Sequence, residues 1–316
     1  MRNEVRLLEY SITEVEKISM DITLALGGGG AKGNAHIGVI RRLEKEGFRI
    51  KGVAGTSFGG IVAVLYALGN SPDKIEEIFS SADQTQFYER APNDGPSLIG
   101  LAGVTRYLEK MIGDSTFADL QLPCVLTAVD LKSGREVLLS DGRLVDAILA
   151  TIAMPGIFPA RYVDGLELVD GGTLDPVPVA PARKLVPRVP VVAVVLTLPM
   201  GIPPQRWDLP FDKHWGGLIL SHLLKKTRYT SLWDIFSRSL DITSRAVTQY
   251  RLEVDQPEII VRPQVYDIDT LDIVDVHEVA KKGEEAVEAV LPQLKTLFTW
   301  QTRWRRTIGV YNHRSI

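Results

Sequence analysis

The chain has 316 residues, 45% hydrophobic and 24% charged, a composition that excludes disordered, collagen-like and coiled-coil proteins and leaves one large α/β domain or two smaller ones. Lysine and arginine number 36 against 39 acids, a net charge of -3, so no global positive field marks a nucleic-acid binder. The single cysteine, Cys124, excludes an internal disulfide and a multi-cysteine zinc site and fits a reducing compartment.

Residues 1–20 read as an N-terminal extension in which Glu4, Arg6, Glu9, Glu14, Glu16 and Lys17 interrupt any apolar h-region of a signal peptide. From Ile22 to about Leu198, β-rich apolar runs alternate with helical patterns, the mark of an α/β sheet with crossover helices. Ile22 to Leu26 reads as a buried strand, Gly27 to Gly30 as a turn, and Ile37, Ile40 and Leu43 as the apolar face of the next helix. A second strand around Gly52-Val-Ala54 ends at Gly55-Thr-Ser57-Phe-Gly59, and Ile61 to Leu68 reads as a buried helix. A Pro/Gly/Asn-rich stretch from Ala91 to Pro96 is a candidate mobile loop ahead of a helix around Leu98 to Ile112. Strands resume at Cys124 to Val129 and Glu136 to Leu139, joined by a hairpin turn at Lys132-Ser-Gly134. Leu166 to Val169 is a further strand, delivering Asp170-Gly-Gly172, and Val191 to Leu198 another.

Beyond that strand the composition shifts, with all five tryptophans (Trp207, Trp215, Trp233, Trp300, Trp304) after residue 206. Trp215, Leu218, Ile219 and Leu223 share one helical stripe beside Lys213, Lys225, Lys226 and Arg228. That mixture suits an interfacial helix or lid, and it also suits a core-packed helix. Toward the C-terminus Phe298, Trp300, Trp304 and Tyr311 interleave with Lys295, Arg303, Arg305, Arg306 and Arg314, a basic aromatic tail that anionic lipid would attract. The longest apolar stretch, Val189 to Met200, is about a dozen residues and holds Pro190 and Pro199, short of the ~20 that span a bilayer. The expectation is a cytoplasmic protein, at most peripheral at a membrane surface.

Gly55-Thr-Ser57-Phe-Gly59 fits G-x-S-x-G, which sets a serine on a sharp strand-to-helix turn with glycines two positions to either side. The helix that follows turns its positive end toward developing charge. Upstream, Gly28-Gly-Gly30-Ala-Lys-Gly33 fits G-x-G-x-x-G between strand and helix, the pattern of a dinucleotide site. Such a site needs an acid at the end of the second strand, where this chain has Gly52-Val-Ala-Gly55. A P-loop fails as well, because Gly33-Asn34 follows Lys32 where Ser or Thr is required. What remains is either a glycine loop whose N–H groups point toward Ser57, as an oxyanion hole demands, or a purely structural turn.

A serine nucleophile needs a base. No feature of the chain marks a histidine for it: His36 follows the glycine loop as a packed or capping residue, His214 and His222 sit in the Trp-rich stretch, His277 opens a helix, and His313 is in the tail. Asp170 stands at a strand end, where α/β sheets place their sites, and Gly171-Gly172 let the backbone come close, although a plain turn reads equally well there.

In chain order, the glycine loop, Ala35-His-Ile-Gly38, Gly55 to Gly59, Thr127-Ala-Val-Asp130 with Ser133-Gly134, Ala153-Met-Pro-Gly-Ile-Phe-Pro159, Leu168-Val-Asp-Gly-Gly172 and Pro176-Val-Pro178 resemble the patatin-like phospholipases. Arg262-Pro263 and a helix from Val276 to Leu291 resemble that family's C-terminal part. The resemblance implies a three-layer α/β/α fold with a mainly parallel central sheet, filling residues 21–295, with 200–228 as an extra Trp-rich segment and candidate lid and 296–316 as the tail. It implies Ser57 as nucleophile and Asp170 as general base, with Gly28, Gly29 and Gly30 as the oxyanion loop and Gly33, Gly55, Gly59, Gly171 and Gly172 in support. The implied substrate is a phospholipid or other fatty acyl ester, and neither metal nor cofactor is implied. One departure is Gly27, where some members carry an acid.

Unperturbed aspartate titrates near ~3.9, so a Ser57–Asp170 dyad requires burial of the acid or strong oxyanion stabilisation. Two rivals remain. One is an interaction or regulatory module on the same scaffold with little activity. The other is a histidine-triad α/β-hydrolase in the order serine, acid, histidine, which His214, His222 or His277 would satisfy. Nothing in the sequence sets the oligomeric state.

Overall fold

The computed structural model describes residues 19–92, 94–203 and 228–299. The stripe at residues 215–223 and Trp207, Trp300 and Trp304 lie outside them, as do His214, His222 and His313. The chain runs β1 (Met20–Leu26), α1 (Ala35–Lys45), β2 (Phe48–Gly55), α2 (Phe58–Ala67), α3 (Pro72–Ser80), α4 (Ala102–Ile112), β3 (Cys124–Asp130), β4 (Arg135–Leu139) and α5 (Leu144–Thr151). It continues through β5 (Arg161–Val163), β6 (Leu166–Asp170), α6 (Val179–Leu185), β7 (Val191–Val194), α7 (Arg228–Asp255), β8 (Ile259–Val261) and α8 (Val276–Thr296).

The strands form one mixed sheet in the order β5-β6-β3-β2-β1-β7-β8, with β4 also paired to β3. Pairs among β3, β2, β1, β7 and β8 are parallel, whereas β4 and β6 run antiparallel to β3, and β5 antiparallel to β6. Period-two alternation divides the apolar residues between the faces. Leu24, Leu26, Val192 and Val194 face the larger core with α1, α2, α5 and α8, and Ala25, Ala54, Val191 and Ala193 face the smaller one with α6 and Leu252 of α7. The result is the three-layer arrangement expected, with an antiparallel annex added at one side.

Those antiparallel strands deliver Asp170. β3 pairs with β2 only over Cys124–Leu126 and then runs past the end of β2. Its protruding half pairs with β6, Asp130 opposite Leu168 and Ala128 opposite Asp170, so β6 descends toward the edge where β2 stops at Gly55. The hairpin between β5 and β6 turns through Asp164 (φ 49°) and Gly165 (φ 79°), both left-handed as a two-residue I′ turn requires. Asp170 therefore reaches the edge from the opposite direction to the parallel strands.

The reading of the tail needs correction at Phe298, residues 300–316 lying outside the described ones. Phe298 is buried and meets Phe48 edge-on at 5.8 Å between ring centroids, and Lys295 pairs with Glu46 at 2.9 Å. Alternating aromatic and basic residues look the same in sequence whether they face water or core; here α8 lies along α1 and carries Phe298 inward. Among the described residues no helix is long and apolar enough to cross a membrane.

Candidate active site

Ser57 sits between β2 and α2 with φ 54° and ψ −129°, a left-handed conformation that is strained for a non-glycine residue and is held only where the surroundings dictate it. The turn is closed by Thr56 N–H donating to Leu26 O (3.1 Å) and Gly60 N–H to Ser57 O (2.8 Å). A Cβ at Gly55 would lie 2.6 Å from Gly59 O, and one at Gly59 would lie 2.3 Å from Leu26 O, so both flanking glycines are required by backbone contact. Ser57 N–H donates to the hydroxyl of Thr151, the last residue of α5, at 2.9 Å.

The Ser57 hydroxyl stands close enough to the Asp170 carboxyl to favour its charged form, the two side chains lining one pocket, and Gly172 N–H donates to Asp170 Oδ1 at 2.7 Å. Burial pushes the Asp170 carboxyl up to about 6, against the lowering effects of the Ser57 hydroxyl and the Gly172 N–H. The acid is thus raised by the first of the two means that such a dyad requires. Gly171 lies against Thr127, and Thr127 O–H donates to Thr56 Oγ1 at 2.7 Å, since the single proton of Thr56 goes to Asp175 O at 2.9 Å.

The glycine loop lies beside the serine, Gly28 nearest: a Cβ there would stand 3.2 Å from Ser57 Cβ. Gly28 nevertheless leaves the expected donor set, because its N–H is committed to Pro176 O at 3.0 Å. Among the described residues no acceptor takes the N–H of Gly29 or Gly30. Gly30 has φ +57°, and a Cβ on it would be 2.0 Å from Thr270 O. Gly33 packs under the Phe58 ring.

His36, fully buried on α1, donates its Nε2–H to Gly27 O at 2.8 Å. Burial holds its pKa down at about 4, so the ring is neutral and serves as a prop for the glycine loop. His277 is an exposed surface residue bonded to Glu76. Neither approaches Asp170 as a triad partner.

Two pockets meet at Ser57. One, with about 920 Å³ of open space, is apolar, walled by α2, α3, α4 and Phe158. The other, about 1070 Å³, contains Asp170, Gly29, Lys32, Thr197 and, from α7, Asp241 and Ser244. Lys32 is buried there: burial pulls its ammonium below the usual range while Asp241 and Asp269 push it back up. Its placement had no sequence signal beyond the glycine loop itself, because α7 arrives from some two hundred residues away. Arg251 of α7 was equally hidden; its Nε–H donates to Leu174 O at 3.0 Å, in the loop that follows Asp170.

Comparisons with known proteins bear on the fold and the family. An NTE family protein of Mycobacterium tuberculosis is 37% identical over 166 residues, which are 51% of this chain and 45% of that one. The protein named lysophospholipase NTE1 of Yarrowia lipolytica is 27% identical over 319 residues, 92% of this chain and 21% of its own length. The chain thus spans less than half the length of these relatives. The crystal structure of VipD from Legionella pneumophila shares the fold, with a TM-score of 0.54 at 11% identity over 88% of this chain and 67% of that one. The patatin-like phospholipase family matches residues 24–183, the stretch that holds the glycine loop, the serine elbow and the Asp-Gly-Gly turn; the chain belongs to that family.

Proposed function

We propose that the protein is a lipid acyl hydrolase that cleaves fatty acyl esters through Ser57 and Asp170. The observation that carries this reading is the placement of the Ser57 hydroxyl and the Asp170 carboxyl in one pocket, with burial pushing the carboxyl up to about 6. Asp170 takes the Ser57 proton while Oγ bonds to the ester carbonyl carbon, and the carbonyl electron pair moves onto oxygen. Gly29 and Gly30 N–H groups, with the α2 N-terminus behind Ser57, receive that oxyanion. Collapse breaks the ester C–O bond, and Asp170 returns its proton to the departing alkoxide. Water, deprotonated by Asp170, then cleaves the acyl-enzyme, releasing the fatty acid and restoring the serine.

The name of the Yarrowia lipolytica relative supports a single-chain lysophospholipid among the substrates. Contact with a lipid surface is supported by the exposed Ile235, Phe236 and Ile242 on α7, the helix that walls the polar pocket. The deciding experiment is a lipid and ester panel run with wild type, Ser57→Ala and Asp170→Asn, beside fluorophosphonate labelling. The reading expects labelling at Ser57, loss of nearly all turnover in each variant, and a double variant little worse than either. A Ser57→Ala protein that retains turnover overturns it.

A further inference from the structure

The two pockets at Ser57 differ in what they can accept, and the proton's route assigns them. A base that has taken the serine proton must give it to the leaving alkoxide, so the leaving group lies on the side where the base is exposed. Asp170 lines the polar pocket and, among the described residues, does not line the apolar one. The acyl chain therefore extends the other way, into the apolar pocket.

The depth of that pocket follows from α4. Leu101, Val104, Leu108 and Met111 recur at helical spacing and all line it. The ten steps from Leu101 to Met111, at 1.5 Å rise each, make this wall about 15 Å long. Its direction is fixed at both ends. Just before α4, Leu98 N–H and Ile99 N–H donate to Gly156 O and Ile157 O, beside Met154, which borders both pockets. Just after α4, Leu144 N–H donates to Ser115 O, at the start of α5. The far end of α5 is Thr151, which holds Ser57 N–H. Leu101 is thus at the reactive end and Met111 at the distal end.

We propose that this pocket takes one acyl chain, tail inward, and that Met111 at its distal end sets the chain length the protein prefers. The proposal rests on the ester-hydrolase reading above. An extended chain advances ~1.2 Å per bond, from ~3.5 Å per three-bond residue, so the tail meets Met111 at about twelve carbons. The neighbouring groups are fixed: Leu108 is buried and Tyr107 O–H is bonded to Ile78 O. Met111 is half-buried, unbranched and polarizable, the side chain best able to yield to a longer tail.

The test compares wild type, Met111→Trp and Met111→Ala on p-nitrophenyl esters of 4 to 16 carbons. In parallel, free fatty acids of 8 and 16 carbons displace a fluorescent fatty acid from each protein. Met111→Trp is expected to lower the ratio of 16-carbon to 4-carbon turnover at least tenfold, and the ratio of 16-carbon to 8-carbon binding likewise. Met111→Ala is expected to shift the optimum toward longer chains. Ratios unchanged in both variants, or all chain lengths falling in parallel, overturn the proposal, as does a wild type that binds no fatty acid. A wild type that binds fatty acids and hydrolyses no ester refutes the hydrolase reading alone, and the binding ratio then decides for Met111.

Discussion

Ser57, the proposed nucleophile, and the loop that follows Asp170, the proposed base, are held by different physics. Ser57 is fixed by contact: glycines 55 and 59 lie against backbone, in one strand-turn-helix unit of the parallel sheet. Asp170 ends an antiparallel strand from a separate part of the chain; Gly171 beside it also packs on the Thr127 backbone, but the loop beyond is held by hydrogen bonds to α7 and the elbow. Steric fixation is all or none, because a Cβ inside van der Waals distance of backbone has nowhere to go. A bonded loop instead loosens by degrees, as each bond contributes about 1 kcal/mol net.

The largest effect that would break this contrast is at Gly59. Gly59→Ala puts a Cβ 2.3 Å from Leu26 O and 2.7 Å from Gly27 O, and is expected to abolish cooperative folding, read as loss of a thermal unfolding transition. An active, folded Gly59→Ala protein would show that the elbow is not sterically set.

Asp170→Asn comes next and separates activity from stability. Turnover should fall by about 10⁴, the scale known for exchanging the aspartate of a serine-hydrolase site for its amide. Stability should move the other way. The folded carboxyl is raised to about 6 from 3.8, so its contribution favours folding below the unfolded value and is lost as pH rises through about 6. Denaturant melts should therefore show the variant gaining on wild type by as much as ~3 kcal/mol at pH 8 and by little at pH 4. For the same reason wild-type kcat/KM should rise with pH through about 6; a profile flat from pH 5 to 8 would remove Asp170 from the base role.

Arg251→Met tests the bonded side. It frees Leu174 O and withdraws the guanidinium from Glu136 and Asp255, which it pairs at 3.6 and 3.8 Å. Asp175, fully buried behind the loop, is pushed well above the usual carboxylate range by burial. A roughly tenfold loss of kcat is expected with KM nearly held, and a melting point that drops further at pH 9 than at pH 6 as the buried Asp175 ionises without the nearby cation. Equal melting losses at both pH values would show that Asp175 is not involved.

Thr127→Val should have the smallest effect, a few-fold loss of turnover, because it removes one bond to Thr56 and keeps the shape that Gly171 packs against. Steady-state kinetics at saturating ester would check it. A loss as large as that of Asp170→Asn would mean that the loop, too, is all or none.

The contrast also explains what could be read from sequence. Gly55 to Gly59 and the glycine loop were legible because glycines at fixed spacing between strand and helix are a local signature, although Thr151, Pro176 and Thr270 complete both turns from far along the chain. Asp170 was ambiguous from its own neighbours, since Asp-Gly-Gly also describes an ordinary turn; its role emerged only through the resemblance. Thr151, Lys32 and Arg251 had no local signature, because what gives them a place is α5 or α7 packing from far along the chain. Gly28 was assigned to the oxyanion loop because a sequence does not disclose which amide a distant carbonyl such as Pro176 O has already taken. Phe298 was misplaced for the converse reason, a local pattern overruled by packing on Phe48.

Three consecutive carbonyls just beyond Asp170 each serve a different element: Leu174 O takes Arg251, Asp175 O takes Thr56, and Pro176 O takes Gly28. Successive carbonyls in a loop point in different directions, so each partner depends on its place in the count. A single residue inserted or deleted between Gly171 and Pro176 would hand every partner the wrong carbonyl at once. The turn at Gly165, only a few residues earlier and with open space around it, carries no such numbering and can lengthen freely. The segment after Asp170 is therefore locked in length as well as in shape, and any natural or engineered change in loop size on this side of the molecule has to fall before β6.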